Sequence, residues 1–248
     1  MTHIDHDLEF LRRCPNDELK KLCDYLTFDG NGCYRISEQL TNTDAYICNY
    51  PDNMRKMTAE LAEELQKYGS NTVVTFFNGA PDSYETVVRR VCRKMKVDVG
   101  PWDDVVTMEH ALLQMICETA LSHMSDEEIS DLADEIGLMR KDLKKQMTAA
   151  AVLMAMKRFP RVFYRVVSYV VTRVLALIGG RTAAATGAKL LQRFFGVATG
   201  PVGWIVMTAW TIWDIAAPAY RVIVPAVLHV AVMRYAVTTK LRFNGRAA

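Results

Sequence analysis

The chain has 248 residues, half of them hydrophobic and 23% charged. That is long enough for one large or two small domains with their own cores, which excludes a staple-dependent peptide and a mainly disordered chain. The formal net charge of +2 conceals a segregation: residues 1–147 carry 17 basic against 27 acidic side chains, and residues 148–248 carry 13 against 1, Asp214.

From the N-terminus, His3, Asp5, His6, Asp7 and Glu9 are the opposite of a basic leader with an apolar run, so no secretory signal is expected. The six cysteines all precede residue 118 and form no CxxC, which reads as free thiols in a reducing cytoplasm. After Pro15, the stripe Leu19, Leu22, Cys23 and Leu26 predicts a helix that stops at Asp29-Gly30-Asn31-Gly32. That loop has Leu40 where a calcium loop requires a bidentate Glu, so it is a turn. A second helix begins near Pro51, with Met54, Met57, Leu61, Leu65 and Tyr68 on one face and Gly69 as its C′ stop. Ser83 precedes a helix over 84–96 with Tyr84, Val87, Val88, Val91 and Met95 facing the core. Another follows over 108–124, and Ser125-Asp126-Glu127-Glu128 is a capping box that starts a helix running to Ile136. No strand is predicted. The fold class is all-α, with an acidic multi-helix domain over 1–147.

Beyond Met147 the texture is apolar and basic, and residues 148–248 are expected to form a second helical domain. A Met- and Ala-rich run reaches Met156, and Val162 to Ile178 is apolar around most of a helix, with Arg161, Arg165 and Arg173 outward. Phe194 to Trp213 is a run of twenty residues without charge, about the length that crosses a bilayer core. Gly196-x-x-x-Gly200 permits close helix approach, and Trp204, Trp210 and Trp213 suit an apolar contact. Gly200-Pro201-x-Gly203 should break that helix, and the partner run 215–233 contains Pro218, Arg221, Pro225 and His229, all adverse to a span. Asp214 and Arg221, seven apart, share a face on an unbroken helix and can form a buried ion pair. A buried or conditionally inserting hairpin over 194–233 is therefore favoured over a constitutive one.

Chemistry is sparse. His3-x-x-His6 and the scattered His110, His123 and His229 have no companions at metal-ligand spacing, and Gly187-Ala188-Lys189 lacks the P-loop pattern. Neither a nucleophile elbow nor a dinucleotide fingerprint is present, so no catalytic residue, metal or cofactor is assigned and the chain reads as a non-enzyme. Thirteen basic residues dispersed among apolar runs fit an anionic membrane surface better than nucleic acid. The residues assigned to headgroups are Arg161, Arg165, Arg173, Lys189 and Arg193. The oppositely charged halves can equally mask each other.

Three segments carry a family resemblance. Asp7-Leu8-Glu9-Phe10-Leu11-Arg12-Arg13-Cys14, continuing to Asp24-Tyr25-Leu26-Thr27, is similar to the N-terminal module of the bacterial YaaW-like proteins. Gly200-Pro201-Val202-Gly203-Trp204 and the block from Pro218-Ala219-Tyr220-Arg221 to Leu228 resemble that family's C-terminal signature. Residues 49–124 are similar in pattern to the ubiquinol-cytochrome c chaperone domain grouped with it. The resemblance implies a helical bacterial protein, cytoplasmic or associated with the inner membrane, and supplies no catalytic residue. The expectation is an acidic domain that binds a polypeptide partner and a basic one that associates with the membrane. The alternatives are a permeabilising protein with a masked 194–233 hairpin, and a soluble scaffold with that hairpin buried. Oligomeric state is left open.

Overall fold

In the computed structural model the described residues are 4–29, 32–36, 38–70, 81–138, 147–178 and 219–239. They form helices α1 (Asn16–Thr27), α2 (Asp44–Asn49), α3 (Thr58–Gly69), α4 (Tyr84–Lys94), α5 (Val105–His123), α6 (Asp126–Glu135), α7 (Ala149–Arg158), α8 (Pro160–Ile178) and α9 (Tyr220–Thr238). Three 3-10 helices precede α1, α2 and α3: His6–Arg13, Leu40–Asn42 and Met54–Met57. No strand occurs among the described residues, only an isolated antiparallel bridge between Phe28 and Tyr34. The all-α expectation holds.

The local rules of helix initiation are visible at six of the twelve helical starts among the described residues. Asp5, Thr43, Ser83, Asp104, Ser125 and Thr148 each accept a hydrogen bond from a first-turn amide, satisfying a donor the helix itself leaves orphaned. At Ser125 the reciprocal bond from its own amide to Glu128 is also made, so the capping box is complete. The Asp29 turn is closed by the Asp29 amide donating to the Cys33 carbonyl, the Gly32 amide to the Asp29 carbonyl, and the Cys33 amide to Asp29 Oδ1 at 2.9 Å. It is a turn, as its missing ligand at position 40 indicates.

Two stops are made differently from the expectation. Gly69 is the last residue of α3, and its role is room: a Cβ there would lie 2.3 Å from Val87 Cγ2, so the bare backbone lets α3 and α4 touch. The left-handed stop instead occurs at Gly137, φ +69°, where the Leu138 amide reaches back to the Ala133 carbonyl and ends α6. At the end of α4, Lys96 adopts the same conformation, φ 57°, while the Val97 amide bonds the Cys92 carbonyl.

The predicted stripes are the observed core. Leu19, Leu22, Cys23 and Leu26 of α1, Met54 and Met57 of the preceding 3-10 turn, and Leu61 and Leu65 of α3 are fully buried. Phe163, Val166 and Val170 of α8 join them, with Val162 and Tyr169 half-buried. At the centre lies α9, packed against α1, α3, α4, α5, α8 and the N-terminal 3-10 helix. It is apolar on every side because it has neighbours on every side. Thirteen of its residues, Pro225 among them, are buried, and the helix continues through that proline.

The charge boundary near Met147 is therefore not a boundary in the core: buried side chains of α1 to α6 and of α7 to α9 belong to one continuous cluster. α9 is also the one helix among the described residues long and apolar enough to cross a membrane, but 78% of that apolar stretch is buried inside the protein. Its length and hydropathy serve the core. The charge-free run 194–213 and the Gly200-Pro201-x-Gly203 break lie outside the described residues.

Candidate functional site

The sequence-predicted cations separate into two kinds. Arg165 and Arg173 on α8 are engaged with the acidic α6. Arg165 donates to the Ile136 carbonyl at 2.7 Å, satisfying an orphan acceptor at the helix end and placing positive charge at the negative pole of the dipole. Arg173 lies 3.1 Å from a Glu135 carboxylate oxygen and 3.2 Å above the centre of the Tyr169 ring. These two arginines thus tie the basic segment to the acidic one. Lys189 and Arg193 lie outside the described residues, as do Gly196, Gly200, Pro201, Gly203, Trp204, Trp210 and Trp213. Asp214 is outside them too, so the proposed pairing with Arg221 falls there; Arg221 itself is exposed in the first turn of α9.

Arg161 differs. It is exposed at the junction of α7 and α8, with exposed Lys157 and Arg158 on the other side of the Phe159-Pro160 corner. Among the described residues none of the three has a carboxylate at ion-pair distance. Two large apolar side chains stand in the open nearby: Phe159 at the corner, 50% exposed and 5.8 Å from the Arg158 guanidinium, and Met154 earlier on α7, 73% exposed. Pro160 forces this geometry, since it starts α8 at a helical φ while disfavouring a helical conformation at Phe159. Phe159 accordingly adopts an extended conformation, φ −126° and ψ 110°. The corner thus exposes basic and apolar side chains together.

A second constellation, unanticipated from sequence, lies inside. Arg234 of α9 grips Glu109 of α5 through two contacts, Nε to Oε2 at 2.6 Å and Nη2 to Oε1 at 3.3 Å. The Tyr84 hydroxyl donates to Glu109 Oε1 at 2.8 Å, and the guanidinium lies 4.3 Å from the Phe10 ring centre. The side chains of Arg234 and Glu109 are 8% and 3% exposed. Burial opposes the charge on Arg234, but Glu109 outweighs it and Arg234 is held protonated more firmly than usual. Asp5 extends the joint by accepting from Gln66 Nε2 of α3 at 3.0 Å and from the Tyr84 amide at 2.9 Å.

Five residues before Arg234, His229 faces α1. Its Nε2 is 2.9 Å from the Glu18 carbonyl oxygen and 3.4 Å from Glu18 Oε2, and Tyr25 meets its ring edge-on at 5.4 Å. Both near neighbours of Nε2 are acceptors, so the neutral ring carries its proton there. Burial lowers the pKa of His229, opposed by Glu18. The other oxygen of Glu18 is held by Lys21 at 2.7 Å. Sequence spacing dismissed His229 for lacking metal-ligand companions. The signal it did carry was isolation: a polar ring or a guanidinium inside an apolar helix must find a partner wherever it is buried.

In both clusters the paired side chains are buried, none more than 9% exposed. Among the described residues no three His, Cys, Asp or Glu side chains gather where they could hold a metal ion. What the joints do is fasten the N-terminal segment, 4–29, to α9. Of the three stretches that carry the family resemblance, the N-terminal one and the described part of the block that begins at Pro218 thus pack together through α1 and α9.

Residues 3–36 match the family model described as a domain of unknown function, DUF3944, which takes in the N-terminal 3-10 helix, α1 and the turn after it. Along the full length, the chain is 36% identical over 231 residues to a UPF0174 protein of Helicobacter pylori, covering 93% of this chain and 91% of the relative. A UPF0174 protein of another H. pylori strain is 30% identical over 210 residues, 83% of this chain and 100% of the relative. The UPF0174 protein YaaW of Escherichia coli K12 is 24% identical over 232 residues, 93% of this chain and 94% of its own. No solved structure matches. Similarity that runs from the N-terminal clamp through the helix it holds places the chain, by descent, in the UPF0174 family.

Proposed function

We propose that the protein is a non-enzymatic helical body that lies on the inner face of the bacterial membrane and presents its acidic helices to a polypeptide partner. The observation that carries this reading is the α7–α8 corner, where exposed Met154 and Phe159 stand near Lys157, Arg158 and Arg161. Apolar groups flanked by cations are what an anionic lipid interface attracts: the side chains enter the acyl boundary and the charges stay at the headgroups. Each cation near such a surface contributes about 1 kcal/mol, and burying Phe159 adds about 1.5–3 kcal/mol. That supports reversible attachment. The charge-free 194–213 run, with Trp204, Trp210 and Trp213, would supply further apolar contact on the sequence reading. A nucleic-acid groove fits less well, because apolar side chains near the cations hinder continuous phosphate contact. On the acidic side, exposed Trp102 and Val106 near the start of α5 are the apolar groups a polypeptide would cover, and the chaperone-like pattern of 49–124 agrees with a polypeptide ligand.

Flotation with vesicles tests the membrane reading. The intact chain is expected to float with phosphatidylglycerol-rich vesicles at low salt, to float poorly with phosphatidylcholine alone, and to be released by an alkaline wash. Replacing Lys157, Arg158 and Arg161 together by Ser should weaken binding about 100-fold, from three contributions of about 1 kcal/mol each. Phe159→Asp should weaken it at least tenfold at unchanged helicity. A wild-type chain that stays with the supernatant in the presence of anionic vesicles would sink the reading.

A further inference from the structure

The Glu18–His229 contact is built differently from the Glu109–Arg234 pair. Arg234 holds Glu109 through two contacts, the carboxylate's other donor being the neutral Tyr84 hydroxyl, and no pH in the biological range removes the arginine's charge. Glu18 is already shared: one oxygen meets Lys21, the other lies near His229, and the side chains of Glu18 and His229 are 9% and 6% exposed. α1 covers this side of α9 with Leu19, Leu22, Cys23 and Leu26. We propose that α1 is an acid-sensitive clasp on α9, shut while His229 is neutral and opened by a proton on its ring, which bares the apolar side of α9.

Burial sets the direction, against the pull of Glu18 and Asp17 and with a smaller push from Lys21. The groups facing the contact from α1 are Glu18, Lys21, Asp17 and Tyr25; Tyr164, on α8, acts on Glu18. A proton on His229 thus adds an enclosed cation beside a carboxylate that the exposed Lys21 already engages, and gives Nδ1 a hydrogen that must also find an acceptor. A base whose closed-state pKa is depressed contributes its stability fully above its open-state pKa, about 6.5, and loses it as pH falls below that value. Below it, opening takes up one proton and grows about tenfold per pH unit, until the closed form itself protonates. The ties of Asp5 to Gln66 and Tyr84, and of Arg234 to Glu109, lie outside this contact, so the N-terminal 3-10 helix stays fastened while α1 lifts.

The intact chain, held without lipid at pH 7.5 to 5 and then labelled in a brief hydrogen-exchange pulse at one fixed pH, provides the test. Protection over 16–27 and 220–238 is expected to fall together as pH drops below about 6.5, by about tenfold per unit, while α5 and α6 keep theirs. His229→Gln, which keeps an amide donor but gains no charge, should hold protection through this range. Lys21→Met, an exposed change that leaves Glu18 free for the protonated ring, should shift the transition to lower pH. Transitions that coincide in all three proteins overturn the clasp, as does wild-type protection that persists to pH 5. Loss of α5 and α6 in the same step would identify global acid unfolding instead. Since no vesicle is involved, the result is independent of the membrane reading.

Discussion

Arg234→Met is expected to be the most damaging single change among the charged residues, costing about 3–5 kcal/mol, because it leaves Glu109 enclosed without its counter-ion, where burial already pushes the carboxyl pKa up. For a chain of this size that is a drop in Tm on the order of 10 °C, measurable by thermal circular dichroism. The physical claim lies in the rescue. A buried ion pair is weak evidence of net stabilisation, and its loss is costly mainly through the partner left behind. Removing the whole group, as in Tyr84→Phe with Glu109→Leu and Arg234→Met, should therefore recover most of the loss. If the single variant melts within 1 °C of wild type, the charges are not enclosed as described. If the triple variant is worse than the single, the network contributes specific stability beyond satisfying itself.

Gly69→Ala is expected to cost about 1–3 kcal/mol, the penalty of forcing a methyl group into a packed interior. The added Cβ would lie 2.3 and 2.6 Å from the two γ-carbons of Val87, and Val87 is buried, so α3 and α4 must separate. Val87→Ala in the same chain vacates those positions and should return part of the loss, giving a coupling of about 1 kcal/mol or more in a denaturation cycle. Additive effects would show that Gly69 serves only to end its helix, as its position suggests.

That glycine shows where sequence stops being informative. A glycine at the end of a periodic run has one local explanation, and the actual one requires knowing which helix lies across from it. The stripes of α1 and α3 and the capping box at Ser125 were legible because each is set by interactions within a few residues. The His6–Arg13 helix and α2 were not predicted, since such short pieces contain too little periodicity to stand out. Arg165 and Arg173 were correctly placed off the apolar face of α8. A helical wheel gives direction and not neighbours, so their ties to Ile136 and Glu135 were invisible. The same limit applies to α9: length and hydropathy are alike for a span and for a central core helix, and only the ring of surrounding helices distinguishes them. The charge reversal near Met147 is real in composition, yet the acidic and basic segments share their apolar residues, which charge counting does not register.

The central position of α9 also constrains how the protein is made. Glu18 and His229, which touch in the finished fold, are 211 residues apart. On the ribosome, at about 5–20 residues per second, α1 and α3 wait roughly ten seconds or more for the helix that completes their core, their apolar stripes uncovered meanwhile. Contacts of such long range slow folding and expose unfinished surfaces to aggregation. A chain stopped before residue 220 would be missing the middle of its core, not its edge. Such truncated products would be recognisable to the cell as substrates for holding chaperones and proteases, whatever the intact protein itself binds.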